Sequence, residues 1–271
     1  MPIIPAALPW KPALAIKVFL LILVSGVVVT LLKPDLWVWS VSIAFVSHFI
    51  LRIVGLLPRS KLLGPNITHL PAESVQRGEI AITIDDGPDP LVTPQVLEIL
   101  ERYQAKATFF CIGHRALQYP ELCREIVRRG HAIENHSQSH YWYLSLLGPW
   151  RTLLEVQQAQ LSLSEVCGQT PRFFRPTAGL RNMLLEPVLL RCNLRLCSWS
   201  KRGFDTRVSD ANKVFESLSN HLQGGDILLL HDGNAALNSS GTPVILDVLP
   251  RLLESLVSRN LHTVTLRSVI K

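Results

Sequence analysis

The chain has 271 residues, 48% of them hydrophobic and 18% charged, with a net charge of +6. That composition excludes a disordered chain, and five cysteines are too few for a disulfide-dense secreted scaffold. The charge excess sits at one end. Residues 1–65 carry Lys11, Lys17, Lys33, Arg52, Arg59 and Lys61 against Asp35 alone, so the rest of the chain lacks the basic body of a nucleic-acid-binding domain.

Residues 13–32 are an apolar run with a single charge, Lys17, near its start. As a helix this run spans about 30 Å, the thickness of a bilayer core. Lys17 is close enough to the end to snorkel. Lys33-Pro34-Asp35 is a turn, and 36–57 is a second apolar run containing His48 and Arg52. Trp37 and Trp39 lie where an interfacial aromatic belt would place them. The pattern predicts a transmembrane helical hairpin, making 1–57 a membrane anchor with lipid as its partner. A signal peptide over 13–25 followed by a surface helix is the competing reading. Against it, no A-x-A cleavage site follows the first run, and a second run comes at once.

Lys11, Lys17 and the N-terminal amine precede or open the first run, Arg52, Arg59 and Lys61 close the second, and only Lys33 lies between. The positive-inside rule then puts both ends of an inner-membrane hairpin, and the body, in the cytoplasm. Were only one run to span, the body would move to the other side. An odd cysteine count without framework spacing suits free thiols in a reducing compartment.

Residues 58–76 mix prolines, glycine and polar residues and read as a linker. From 77 onward apolar runs alternate with amphipathic ones. Strands are expected at 79–84, 107–112, 131–135, 173–175, 194–200, 226–230 and 261–266. Helices are expected at 93–103, 116–129, 149–167, 183–192, 211–222 and 244–259. This alternation is an α/β pattern with a parallel sheet covered by helices, either an incomplete barrel or a doubly wound sheet. Both architectures put functional residues at the C-terminal ends of the strands.

The unusual polar residues fall at those ends. The first strand leads into Asp85-Asp86-Gly87-Pro88, the third into His136-Ser137-Gln138-Ser139-His140, and the fourth into Arg175-Pro176-Thr177-Ala178-Gly179. The fifth passes Trp199 toward Asp205, and the sixth ends at His231. Adjacent carboxylates repel unless a cation lies nearby, so one of the pair suits a metal ligand and the other a base. The same residues also read as an Asp-Gly-Pro turn with Asx hydrogen bonds. His136 and His140, four apart but in a loop, are either two surface histidines or, with Asp86, three ligands that leave room for water. His231 is either a satisfied core histidine or a general acid. Arg175 is either in a surface ion pair or orients Asp85. Trp199 reads as core or pocket wall.

Taken in order, T-I-D-D-G-P, H-S-x-x-H, R-P-x-x-G, the Trp/Asp-bearing fifth strand exit and L-x-H at 229–231 resemble the motifs of the polysaccharide deacetylase (NodB-homology, carbohydrate esterase family 4) domain, over about 77–271. The resemblance implies a distorted (β/α)7 barrel that removes an N-acyl, usually N-acetyl, group from an amino sugar. It implies one divalent metal on Asp86, His136 and His140, with zinc the first choice and cobalt, nickel or manganese compatible. Asp85 would be the general base, Arg175 its tether, and His231 the general acid, with Asp205 its partner. Leu229 and Trp199 would line the acyl pocket, and Ala178 would offer a backbone N–H to the oxyanion. The sequence departs from the family pattern at Ile84, at Thr177-Ala178, where an aromatic wall is lost, and at Thr206 after Asp205. The substrate expected is an N-acylated amino sugar in a glycan or lipid-linked precursor, with no nucleic acid as partner. A catalytically silent carbohydrate-binding protein, or a deformylase or amidase on another amide, are the alternatives.

Overall fold

The computed structural model describes residues 10–271; the N-terminal amine counted above lies outside them. Helix α1 (Leu14–Leu32) and helix α2 (Trp37–Gly55) are joined by one 3-10 turn, Pro34–Leu36. Leu14–Leu32 and Pro34–Gly55 have mean hydropathies of 2.7 and 1.7 and are long and apolar enough to cross a membrane. Most of their side chains are exposed, whereas Ile16 and Leu51 are buried against Leu63 of the following segment beside Val54 and Met183. The end of α2 touches the body backbone to backbone. Arg181 donates its N–H to the Gly55 carbonyl at 3.1 Å. A Cβ on Gly55 would stand 2.1 Å from the Arg181 carbonyl oxygen, so only glycine allows this approach.

The body is one parallel sheet wrapped by helices. Its strands are β1 (Glu79–Asp85), β2 (Ala107–Cys111), β3 (Ala132–Asn135), β4 (Phe173–Phe174), β5 (Arg195–Leu196), β6 (Lys201–Arg202), β7 (Ile227–His231) and β8 (His262–Thr263). Their order is β5-β4-β3-β2-β1-β7-β6, with β8 beside the start of β1. This curled sheet is the distorted barrel that the motif resemblance implied. Its two edges, β5 and β6, share no ladder; residues 197–200 of the chain bridge them as a seam. Strand β6 was not among the expected strands, because Lys201-Arg202 carries no apolar residue to mark it.

Helices α3 (Ala72–Gln76), α4 (Thr93–Arg102), α5 (Gly113–Gln118), α6 (Pro120–Arg128), α7 (Pro149–Cys167), α8 (Leu185–Arg191), α9 (Ala211–Ser219), α10 (Val244–Ser258) and α11 (Leu266–Val269) complete the body. The single helix expected over 116–129 is two, because Pro120 lacks an N–H to continue α5 and opens α6 instead. Residues 58–76, expected as a linker, lie packed on the body: Ile67 bridges to Cys197, and Leu70 donates to the Gly225 carbonyl. All five cysteines are free.

Strand alternation sorts the core. Ile82, Ile84, Phe109, Leu228 and Leu230 pack outward against α4 and α10, in a cluster with Val96, Leu100, Val248 and Leu252. Ala81, Phe110, Phe173, Ile227 and Leu229 pack inward with Trp199. The β1–β7 register pairs Thr83 with Leu229 and Asp85 with His231. The same two-residue period therefore carries Thr83, Asp85, Leu229 and His231 to the interior side, at the C-terminal mouth.

The backbone contact at Gly55 yields a test. Gly55→Ala should cost about 1–3 kcal/mol through overpacking. Gly26→Ala, whose Cβ would meet Ser40 at an ordinary 3.5 Å, should stay within about 0.5 kcal/mol of the parent. Thermal unfolding of the full chain in detergent checks this; equal stability of the two variants would mean that α2 is not seated on the Arg181 loop.

Candidate active site

Strand β1 delivers two consecutive carboxylates to the mouth, and the chain treats them differently. Asp85 ends the strand in extended conformation and points inward. Asp86 is left-handed (φ 75°), which turns its side chain toward the exit of β3. A left-handed aspartate is uncommon but tolerated. Asn234 donates Nδ2 to Asp86 Oδ2 at 2.9 Å, and Arg115 holds the Asp86 carbonyl at 3.0 Å.

Asp85 is 3% exposed, and its partner is Arg175, which is fully buried. Arg175 Nη1 donates to Asp85 Oδ1 at 2.6 Å and to Thr83 Oγ1 at 2.8 Å. Its Nε and Nη2 donate to the carbonyls of Cys197 and Ser198. The guanidinium lies 4.0 Å over the Phe110 ring. Asp85 Oδ2 is left toward the cavity, 3.9 Å from His136 Nε2.

His136 leaves β3 directly. Its Nδ1 lies 2.7 Å from the Arg175 carbonyl. A carbonyl only accepts, so Nδ1 carries a proton and Nε2 is the nitrogen turned toward Asp86; burial alone would depress the imidazole, but the Asp85 and Asp86 carboxylates raise it. His140 reaches the same carboxylate through a loop in which Ser137 and His140 are left-handed (φ 64° and 53°). The Nε2 atoms of His136 and His140 lie 3.1 and 2.9 Å from Asp86 Oδ1. The three ligand atoms fall within 4.8 Å of one another. Burial works to raise the Asp86 carboxyl, but hydrogen bonds from His136 and His140 outweigh it and hold it well below the usual carboxylate range. One carboxylate and two imidazoles, one of them with its tautomer fixed by a carbonyl, make a donor set that fits a divalent metal.

Across the mouth, Asp205 is fully buried and grips His231 twice. It accepts from the His231 backbone N–H at 2.7 Å and from Nδ1 at 2.8 Å. Burial alone would depress the imidazole, but the Asp205 charge prevails and pushes it up to about 9.

A cavity of about 210 Å3 collects Asp85, Asp86, His136, His140 and His231, with Ala178, Trp199 and Leu229 on its walls. Arg175 and Asp205 stand behind it, hydrogen-bonded to Asp85 and His231. Ala178 is left-handed (φ 54°) and exposed. Gly179 beside it leaves no space for a Cβ, which would stand 2.5 Å from the Trp199 ring and 2.7 Å from Pro58. Sequence reading missed Asn234 and Asp232, although both lie in the polar exit of β7 that His231 begins. Thr93 donates to Asp232, whose carboxyl burial pushes up to about 7. It also missed Arg202 and Arg207, which line the cavity beyond Trp199 with Thr206, noted in the sequence only as a departure from the family pattern; no spacing marks the two arginines.

Residues 72–197 match the family described as Polysaccharide deacetylase. A peptidoglycan-N-acetylglucosamine deacetylase of Bacillus cereus is 36% identical over 177 residues, 64% of this chain and 81% of that protein. A chitooligosaccharide deacetylase of Azorhizobium caulinodans is 36% identical over 158 residues, 58% of this chain and 75% of that one. The crystal structure of a peptidoglycan N-acetylglucosamine deacetylase in complex with 4-naphthalen-1-yl-N-oxidanyl-benzamide superposes with a TM-score of 0.66 at 27% identity, covering 75% of this chain and 92% of the other. With these relatives over its sheet and its strand-end motifs, the chain belongs to the polysaccharide deacetylase family.

Proposed function

We propose that the chain is a membrane-anchored, metal-dependent hydrolase that removes an N-acyl group, N-acetyl first, from an amino sugar in a glycan or lipid-linked glycan precursor. One observation carries this reading: Asp86, His136 and His140 converge beside Asp85 and opposite the Asp205–His231 pair in one cavity. Residues 1–57 would be the anchor, 58–76 the connection and 77–271 the catalytic domain. The positive charges at both ends of the hairpin support a cytoplasmic body at an inner membrane.

Asp86, His136 and His140 would hold one divalent ion, zinc before cobalt, nickel or manganese, since all accept nitrogen and oxygen donors. When bound, such an ion supplies Lewis-acid polarisation of the acyl carbonyl and acidity to a water molecule. Asp85 Oδ2 takes the proton of the attacking water, while Arg175 keeps Oδ1 occupied and the carboxylate oriented. The Ala178 N–H faces the developing oxyanion. His231, holding Asp205 through Nδ1, gives its Nε2 proton to the departing sugar nitrogen. Leu229 and Trp199 wall off the acyl methyl.

Metal content of the purified full chain should be about one divalent ion per molecule, and Asp86→Ala should lose both ion and activity. An active Asp86→Ala enzyme would falsify the ligand set. His231→Ala should keep its ion and lose roughly 10²–10⁴ in kcat.

The pH profile tests the acid. The His231 imidazole is raised, so its proton is in place at low and neutral pH and is lost as pH rises through about 9, or lower once a cation adds its repulsion. Activity should therefore fall on the alkaline side. Asp205→Asn removes the charge that raises His231 and should move that limb to lower pH by about one unit or more; an unmoved limb would remove His231 from the role of acid.

A further inference from the structure

The catalytic cavity is open on the Trp199 side. A groove of about 470 Å3 continues from it, sharing Trp199 and Arg202, and runs past Phe204 and Lys201 to Pro58 and Arg59 at the foot of the hairpin. Its lining holds Arg59, Lys201 and Arg202 and no carboxylate.

Arg202 occupies a peculiar position. It sits in β6 opposite Leu229, half-buried, with its guanidinium 5.4 Å from the Trp199 ring centroid and 4.8 Å from that of Phe204. Its Nε is buried with no hydrogen-bond partner among the described residues. The acids on this side of the mouth are committed elsewhere, Asp85 to Arg175 and Asp205 to His231. Arg207 lines the cavity from the next turn, exposed and in no ion pair among the described residues. Two guanidiniums thus line one opening, with no hydrogen-bond acceptor for their forks among the described residues and only the through-space charge of acids, Asp205 foremost, near Arg202. A partly desolvated cation without a counter-ion is costly, and a planar fork of this kind matches a bidentate oxyanion.

We propose that Arg202 and Arg207 form a subsite for a phosphate group carried by the amino-sugar substrate, with Arg59 and Lys201 extending the positive groove for a second phosphate or the ester beyond it. The proposal rests on the deacylase reading, in which the sugar occupies the catalytic cavity. The cavity holds about one sugar, so a phosphate ester on that sugar falls at its rim. Phosphate is favoured over a carboxylate because the cations continue along the groove instead of ending at one pair. The phosphate could belong to a lipid-linked sugar, whose tail would leave along the groove toward the hairpin, or to a free sugar phosphate.

The test uses the full chain in lipid nanodiscs with zinc supplied. Acetate release is measured from methyl N-acetylglucosaminide, N-acetylglucosamine 1-phosphate, and N-acetylglucosamine joined to a polyprenyl diphosphate. The phosphate-bearing substrates should show a kcat/KM about 10- to 100-fold higher, expressed mainly in KM, the size expected of charge-assisted hydrogen bonds. Arg202→Gln and, separately, the exposed Arg207→Gln should cut that preference about tenfold or more, with Arg202→Lys recovering part of it. A further gain for the polyprenyl substrate assigns the phosphate to a lipid, and equal rates assign it to a soluble sugar phosphate; both sustain the subsite. Turnover without a phosphate preference, or a preference that survives both glutamine variants, overturns the subsite and leaves the deacylase reading standing. Calorimetric binding of N-acetylglucosamine 1-phosphate separates the opposite failure: binding that Arg202→Gln abolishes, with no substrate turned over, keeps the subsite and rejects the deacylase. Neither binding nor turnover rejects both.

Discussion

The buried guanidinium of Arg175 is the constraint around which the mouth is arranged. A charge out of water costs several kcal/mol unless it is paired and every donor is used. Here Asp85 supplies the counter-charge, Thr83 a hydroxyl, and Cys197 and Ser198 two carbonyls. Thr83 in turn donates its own hydroxyl to the Leu228 carbonyl, tying the cluster to β7. The backbone carbonyl of Arg175 fixes the His136 tautomer. One residue therefore sets the candidate base, one candidate ligand and the seam between the sheet edges. Loss of its side chain would strand Asp85 without its partner and leave the seam carbonyls unpaired.

Chemically identical groups acquire different tasks through their neighbours. Asp85 has one oxygen tied to a cation, whereas Asp86 is surrounded by imidazole and amide donors. His136 is oriented by a carbonyl and His231 by a carboxylate. A carboxylate on Nδ1 raises proton affinity, which suits an acid, while a carbonyl on Nδ1 leaves Nε2 as the nitrogen that can meet a cation. The proposed division of roles is thus electrostatic before any substrate arrives.

Much of this was legible in the sequence because it rests on local pattern. Apolar runs bounded by Gly and Pro located β1, β2, β3 and β7, and the expected span of α7 coincides with the helix observed. The strand-exit rule pointed to nine of the ten candidate residues, and Leu229 came only through the family resemblance. What escaped was non-local or too short. Strand β6 exists because it pairs with β7, not because Lys201-Arg202 has strand character, so Arg202 could not be placed at the mouth. The packing of 58–76 depends on partners such as Cys197 and Gly225, far away in sequence. The left-handed turns at Asp86, Ser137 and His140 that aim the side chains fall on residues without the glycine that usually signals them.

The contact between Gly55 and Arg181 has a consequence for reach. With no side chain between the two backbones, α2 is hydrogen-bonded directly to the loop after Gly179. A hairpin held in a bilayer would then carry the mouth at a fixed height and azimuth above the lipid surface, with Pro58 wedged against the Gly179 wall. Such a body has no tether on which to swing outward. It would serve molecules brought to within its own height of the surface, and any tilt of the helices with membrane thickness would be felt as a rotation of the opening.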